Sequence, residues 1–210
     1  MPTFYDCTPA PSPRRARIVL AEKGIAHDVR IVDLSKGEQL SAEFRAINPA
    51  CTVPALVLDD GAVLTDNAGI AAWAEAAYPD PPLLGTTPLE KAAVASWNSR
   101  LEGECFMAIA EVLRNTARGM KDRALPGPEN YAQIPELAER GRARLIHFLD
   151  RFEAHMTGRD WVATDSFSLA DITAGVALDF AGWVKVDANE ARPAIAAWRA
   201  RLAGRPSFGL

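Results

Sequence analysis

Cysteine is scarce: the chain of 210 residues has three, Cys7, Cys51 and Cys105. The number is odd, no two form a Cys-x-x-Cys pair, and none has the spacing of a metal-ligand set. A disulfide-stapled scaffold, a zinc module and a dithiol oxidoreductase are thereby excluded. Histidine is as sparse, and His27, His147 and His155 stand apart from any residue that would make a base or a metal ligand of them, so no metal is expected. No apolar run approaches the ~20 residues of a membrane span, and no charged-then-apolar leader precedes the first strand. An excess of basic charge is missing too: 27 acidic residues against 23 basic ones give a net charge of −4, which argues against a nucleic-acid partner. The one basic run, Arg14, Arg15 and Arg17, reads as a solvated helix face, with a small electrostatic role toward an anionic ligand as the alternative. Repeats and low-complexity tracts are absent as well. These absences together predict a protein of a reducing, cytoplasmic compartment with no membrane or nucleic-acid partner.

What is present is ample apolar material, 49% of the residues, enough for a packed core without staples. Periodicity predicts a strand over 3–6, a helix over 13–23 stopped by Gly24, and a strand over 27–32. A short helix over 41–46, strands over 55–58 and 62–64, and a helix over 67–77 follow. That order, βαβ, short helix, ββα, resembles a thioredoxin-like domain. Pro79-Asp80-Pro81-Pro82 then marks a linker. Beyond it only helical periodicity appears, over about 88–118, 134–155, 169–184 and 191–203. The expected division is residues 1–79, a linker over 80–87, and an all-helical domain over 88–210. Ser168 and Asp171 form a variant capping box at the head of the third of these helices, which we assign to stability.

The densest stretch is 48–70. Val53-Pro54 precedes the apolar run Ala55 to Leu58, and a proline at a strand start can be cis without losing a ladder bond. Asp60-Gly61 makes a tight hairpin, and the returning strand runs into Asp66-Asn67, two residues suited to cap an apolar helix. Free backbone N–H groups and a carboxylate then face one spot, which suits a zwitterion such as an amino acid or short peptide.

Val-Pro-x-Leu followed by Asp-Asp-Gly and an acidic-polar pair before Ala-x-Ile resembles the glutathione-binding half of a cytosolic, bacterial-type glutathione S-transferase. The opening strand and helix, through Val19-Leu20-Ala21-Glu22-Lys23-Gly24-Ile25, and the late Phe167 to Ile172 segment resemble the same family in the same order. The resemblance implies glutathione as co-substrate and a small apolar electrophile as its partner, in a homodimer engaged in detoxification. It implies that Val53 pairs through its backbone with the cysteinyl part of glutathione, with Pro54 in cis. Asp66 would meet the γ-glutamyl ammonium, Asn67 the γ-glutamyl carboxylate in place of the usual Ser or Thr, and Gln39 the glycine carboxylate. Cys51 stands where relatives have glycine and is treated as structural.

Glutathione chemistry needs a thiolate, whereas a free thiol has a pKa near 8.5. A shift of two units requires about 2.7 kcal/mol of preferential stabilisation, which a hydroxyl donor at a positive helix N-terminus can supply. The loop Cys7-Thr8-Pro9-Ala10-Pro11-Ser12-Pro13 has Ala10 where many relatives carry the functional Ser or Cys. Ser12 falls where some use an asparagine on the sulfur, and Pro13 fits the first helical position, making Ser12 the expected N-cap and the expected catalytic residue. Tyr5, Cys7 and Thr8 are the other candidates for the sulfur contact. The co-substrate pocket is expected between Ala10 and the first long helix, at Cys105, Phe106 and Ile109. The predicted activity is conjugation of glutathione to an electrophilic carbon. A glutathione-dependent lyase, isomerase, dehalogenase or peroxidase on the same fold is the alternative, and a non-catalytic binding or interaction protein is the other.

Overall fold

Phe4, with no exposed surface, and Asp6 point inward from β1 (Thr3–Asp6), while Thr3 and Tyr5 are only half-buried, the alternation of a strand covered on one face. The computed structural model describes residues 1–210. β1 leads into α1 (Pro11–Glu22) and then β2 (Asp28–Ile31), which pairs parallel to β1, as a strand-helix-strand crossover demands. Two single 3₁₀ turns, Leu34–Lys36 and Glu38–Leu40, precede α2 (Ala42–Ile47), which Ser41 caps by accepting from the Phe44 N–H at 3.1 Å. β3 (Ala55–Val57) runs antiparallel to β1 and to β4 (Val63–Leu64), giving the four-stranded order β2-β1-β3-β4. The Asp60-Gly61 hairpin closes as expected, Gly61 taking φ +86° while Asp60 Oδ1 accepts from the Ala62 N–H at 2.9 Å. α3 (Asn67–Ala77) packs beside α1. This is a thioredoxin-like arrangement.

Lys23, at the end of α1, has a fully buried side chain. Its ammonium pairs with Glu75 Oε2 at 2.5 Å and donates to the Pro81 carbonyl at 2.6 Å, so the charge is balanced and its donors are used.

The chain divides into two compact units. The first holds residues 1–81 with 126–129 and Leu210, the second residues 82–125 and 130–209. The second is all helix. α4 (Pro88–Arg100) opens on a capping box between Thr87 and Glu90. The expected helix over 88–118 is continuous to residue 116 but widens into a π segment, Leu101–Phe106, before α5 (Met107–Thr116), the Met107 N–H reaching the Glu102 carbonyl five residues back. α6 (Pro135–Met156) lies along α5, and Gly141 allows the close approach, since a Cβ there would stand 2.7 Å from the Ala108 carbonyl oxygen. α7 (Leu169–Ala181) is buried along nearly its whole circumference, and α8 (Pro193–Ala203) packs on α6. Asp171, itself without exposed surface, accepts from Val162 N–H, from Ser168 through both N–H and hydroxyl, and from Trp198 Nε1. No helix is long and apolar enough to cross a membrane.

Candidate functional site

Three segments of the first unit converge: the loop after β1, the turn before β3 and the first turn of α3. In the first, Ala10 is extended at ψ 136°, as a residue before proline prefers, and its N–H donates to the Cys7 carbonyl at 2.9 Å. The helix therefore starts at Pro11, with Ala10 as N-cap and Ser12 at the second position, which corrects the expectation that Ser12 caps a helix beginning at Pro13. Either proline satisfies the first-turn rule and sets the residue before it extended, so the choice of Pro11 is made by the fold and not by the local sequence. Pro11 and Pro13 have no N–H, so Ser12 supplies the backbone donor left in this turn.

Freed from capping, the Ser12 hydroxyl turns to α3. Asn67 Nδ2 donates to Ser12 Oγ at 3.0 Å, joining residues 55 apart in the chain. The Asn67 Oδ1 is buried and has no partner. Asp66 is the N-cap of α3, its Oδ1 accepting from the Gly69 N–H at 2.7 Å while the side chain stays exposed. The Asn67 and Ala68 N–H groups emerge from this first turn without intrahelical acceptors.

The loop itself is held by a strut absent from the sequence reading. Arg17 on α1 grips Asp6 at the end of β1 with Nε and Nη2, each at 2.9 Å, and Nη2 reaches the Thr8 carbonyl at 3.3 Å. An acid closing a strand and an arginine on the following helix were the available signal. The Arg14, Arg15, Arg17 run is not one solvated face, since Arg15 is buried and Arg17 is spent on this contact.

The Val53-Pro54 bond is cis, both residues are buried, and β3 begins only at Ala55, so Val53 stands outside the ladder. Val53 clusters with Cys7, Val32 and Phe44, against which Ala10 and Tyr5 pack. Cys7 is thus a core residue, Tyr5 is committed to β1 opposite Ala55, and Thr8 is exposed. Gln39 lies in the second 3₁₀ turn with its Oε1 buried and unpartnered. Cys51 takes φ +55°, the left-handed conformation for which glycine is the usual occupant.

Of the residues expected to face a co-substrate, Ala10 is half-buried, and Phe106 keeps some surface while packing 5.9 Å from Phe180. Cys105 and Ile109 have no exposed surface and stand in the core of the helical unit, on the stripe they share with Leu101, Ala108 and Val112. Burial pushes the Cys105 thiol far up, which makes it inert.

The chain matches the family model described as glutathione S-transferase, N-terminal domain, over residues 10–77, and that described as glutathione S-transferase, C-terminal domain, over residues 116–206. It is 37% identical over 207 residues to glutathione S-transferase 2 of Saccharomyces cerevisiae, covering 97% of this chain and 86% of that one. The crystal structure of a glutathione S-transferase domain-containing protein from Marinobacter aquaeolei superposes with a TM-score of 0.89 at 33% identity, covering 98% of each chain. A maleylacetoacetate isomerase of Pseudomonas aeruginosa is 38% identical over 92 residues, 43% of this chain and 42% of that protein.

Proposed function

Because the chain belongs to the glutathione S-transferase family, and is a transferase by that membership, we propose that its first unit binds glutathione, that Ser12 holds the sulfur as thiolate, and that the thiolate attacks an electrophilic carbon of an apolar co-substrate. The observation that carries this reading is the meeting of Ser12 and Asn67 at 3.0 Å, which brings the first turns of α1 and α3 to one spot. Two positive helix ends and a hydroxyl there favour an anion. The thiol proton leaves to solvent, the sulfur lone pair forms the S–C bond, and the leaving group departs with its electron pair. Catalysis is activation of the nucleophile plus proximity.

In the same reading the Val53 backbone, beside cis Pro54, pairs with the cysteinyl part of glutathione, and Asp66 meets the ammonium through its free oxygen. The Asn67 N–H faces the γ-glutamyl carboxylate, Gln39 the glycine carboxylate, and Ala10 borders the sulfur on the co-substrate side. The protein works as a homodimer in the cytoplasm, in detoxification.

The test is titration with glutathione by calorimetry together with ultraviolet difference absorbance for the thiolate at pH 7. Wild type should bind with a thiolate signal, and Ser12→Ala should bind equally well while the thiolate midpoint rises by about 1–2 pH units, the value of one hydrogen bond to a charged acceptor. An unmoved midpoint removes Ser12 from the mechanism. A second reading, a glutathione-dependent isomerase, is favoured by the match to the Pseudomonas aeruginosa isomerase. It predicts turnover without consumption of glutathione, which assay of residual thiol detects.

A further inference from the structure

Building on the proposed role of Ser12, we propose that Asn67 is a positioning residue that aims the Ser12 proton at the sulfur and ties that aim to ligand binding. A serine hydroxyl has one proton to give and two lone pairs to receive. Asn67 Nδ2 gives a hydrogen to Ser12 Oγ, so that bond uses a lone pair and leaves the proton unspent. The usual destination of a helical serine proton is the carbonyl one turn back, but Ser12 is the second residue of α1, so the residue in that place, Thr8, lies before the helix, and Ser12 Oγ makes no bond to its carbonyl. The Ser12 proton meets no acceptor in the protein and is directed to whatever occupies the space before α1.

The orientation of the Asn67 amide decides the outcome. With the nitrogen toward Ser12 the hydroxyl is a donor to its other neighbour. With an oxygen toward Ser12 the proton would be taken and the sulfur would lose it. Asn67 Oδ1, buried and without a partner, is an acceptor awaiting an N–H. Glutathione has such donors in its γ-glutamyl ammonium and its two amides. A ligand N–H on Oδ1 locks the amide with its nitrogen on Ser12, so the part of glutathione remote from the sulfur sets the hydroxyl that stabilises the thiolate.

The experiment is a double-variant cycle on the full chain, reading the thiolate midpoint of bound glutathione by difference absorbance and affinity by calorimetry, with thermal unfolding as the check of folding. Asn67→Ala should raise the midpoint by about half a pH unit to one unit, and should add nothing in the Ser12→Ala background. Asn67→Asp, of the same shape but with an acceptor toward Ser12, should raise it further in the Ser12 protein than in the Ser12→Ala protein, because only the charge effect survives in the latter. Equal shifts in both backgrounds, or a midpoint indifferent to Asn67→Ala, overturn the inference while leaving glutathione binding intact. A wild-type chain that fails to bind glutathione overturns the proposed function itself, and the inference with it.

Discussion

Arg17 and Asp6 meet through two parallel hydrogen bonds of 2.9 Å, with 13% of the arginine side chain and 5% of the aspartate side chain exposed. A guanidinium fork matched to a carboxylate fixes orientation as well as distance, and here it locks the end of a strand to the helix that follows. Arg17→Met leaves Asp6 charged and buried, so unfolding in urea should show a loss of about 3 kcal/mol. Arg17→Lys, which cannot reproduce the fork, should recover less than half of that. A loss below about 1 kcal/mol for Arg17→Met would show the pair to be a surface contact in energy if not in position.

His155 supplies the pH dependence. Its ring is tilted 4.1 Å from that of Trp97, its Nε2 is 2.8 Å from the Val162 carbonyl, and burial, with Arg159 and Arg100 adding to it, depresses its pKa from the ordinary 6.5. A depressed imidazole pKa means that the unfolded chain takes the proton first. Stability contributed by the neutral ring is complete above pH 6.5 and declines as the pH falls below it. Urea midpoints between pH 8 and pH 5 should therefore drop more steeply for wild type than for His155→Gln. Parallel curves would exclude this residue as the source.

Four donors converge on the buried Asp171 carboxylate. Burial raises its pKa while the hydrogen bonds pull it down, so the group is held as an acceptor at the cost of desolvation. Asp171→Ala strands the Val162 and Ser168 N–H groups and the Trp198 indole together. The expected loss is about 3 kcal/mol or more, seen as a lower urea midpoint, with Trp198 fluorescence moved by the missing partner.

Gly141 is helical, so alanine there gains propensity of about 1 kcal/mol in an open helix. Its Cβ would nevertheless stand 2.7 Å from a backbone oxygen of α5, which cannot rotate away. Gly141→Ala should be destabilising by about 1–3 kcal/mol on thermal or urea unfolding. A stabilised variant would mean that α5 and α6 separate more readily than their packing implies.

Elements whose signals are local were legible. Asn67–Ala77 starts and ends where its capping acid and the apolar period place it, and the Asp60-Gly61 hairpin follows from its turn chemistry. The start of α1 was not, since Pro11 and Pro13 both satisfy the first-turn rule and only the fold chooses between them. The π segment left no trace either, because one extra residue in a ladder keeps the helical period on both sides. Short motifs singled out Val53, Pro54, Asp66 and Asn67, which the structure places at the turn before β3 and at the start of α3. The Ser12–Asn67 bond was not legible, as it joins two separate elements, and neither was the burial of Cys105 and Ile109, whose stripe looks the same whether a neighbouring helix or a ligand covers it.

Lys23 gives the 79–81 segment a property that its composition would not predict. Proline-rich stretches at the edge of a unit are ready points of entry for proteases, which need several residues drawn out and extended. Here the Pro79 and Pro81 carbonyls are both turned to one ammonium, at 3.4 Å and 2.6 Å, on a side chain with no exposed surface. Cleavage there must wait for the lysine to surrender its grip, so the resistance of this junction to nicking is governed by an opening of the interior and not by the flexibility of the segment itself.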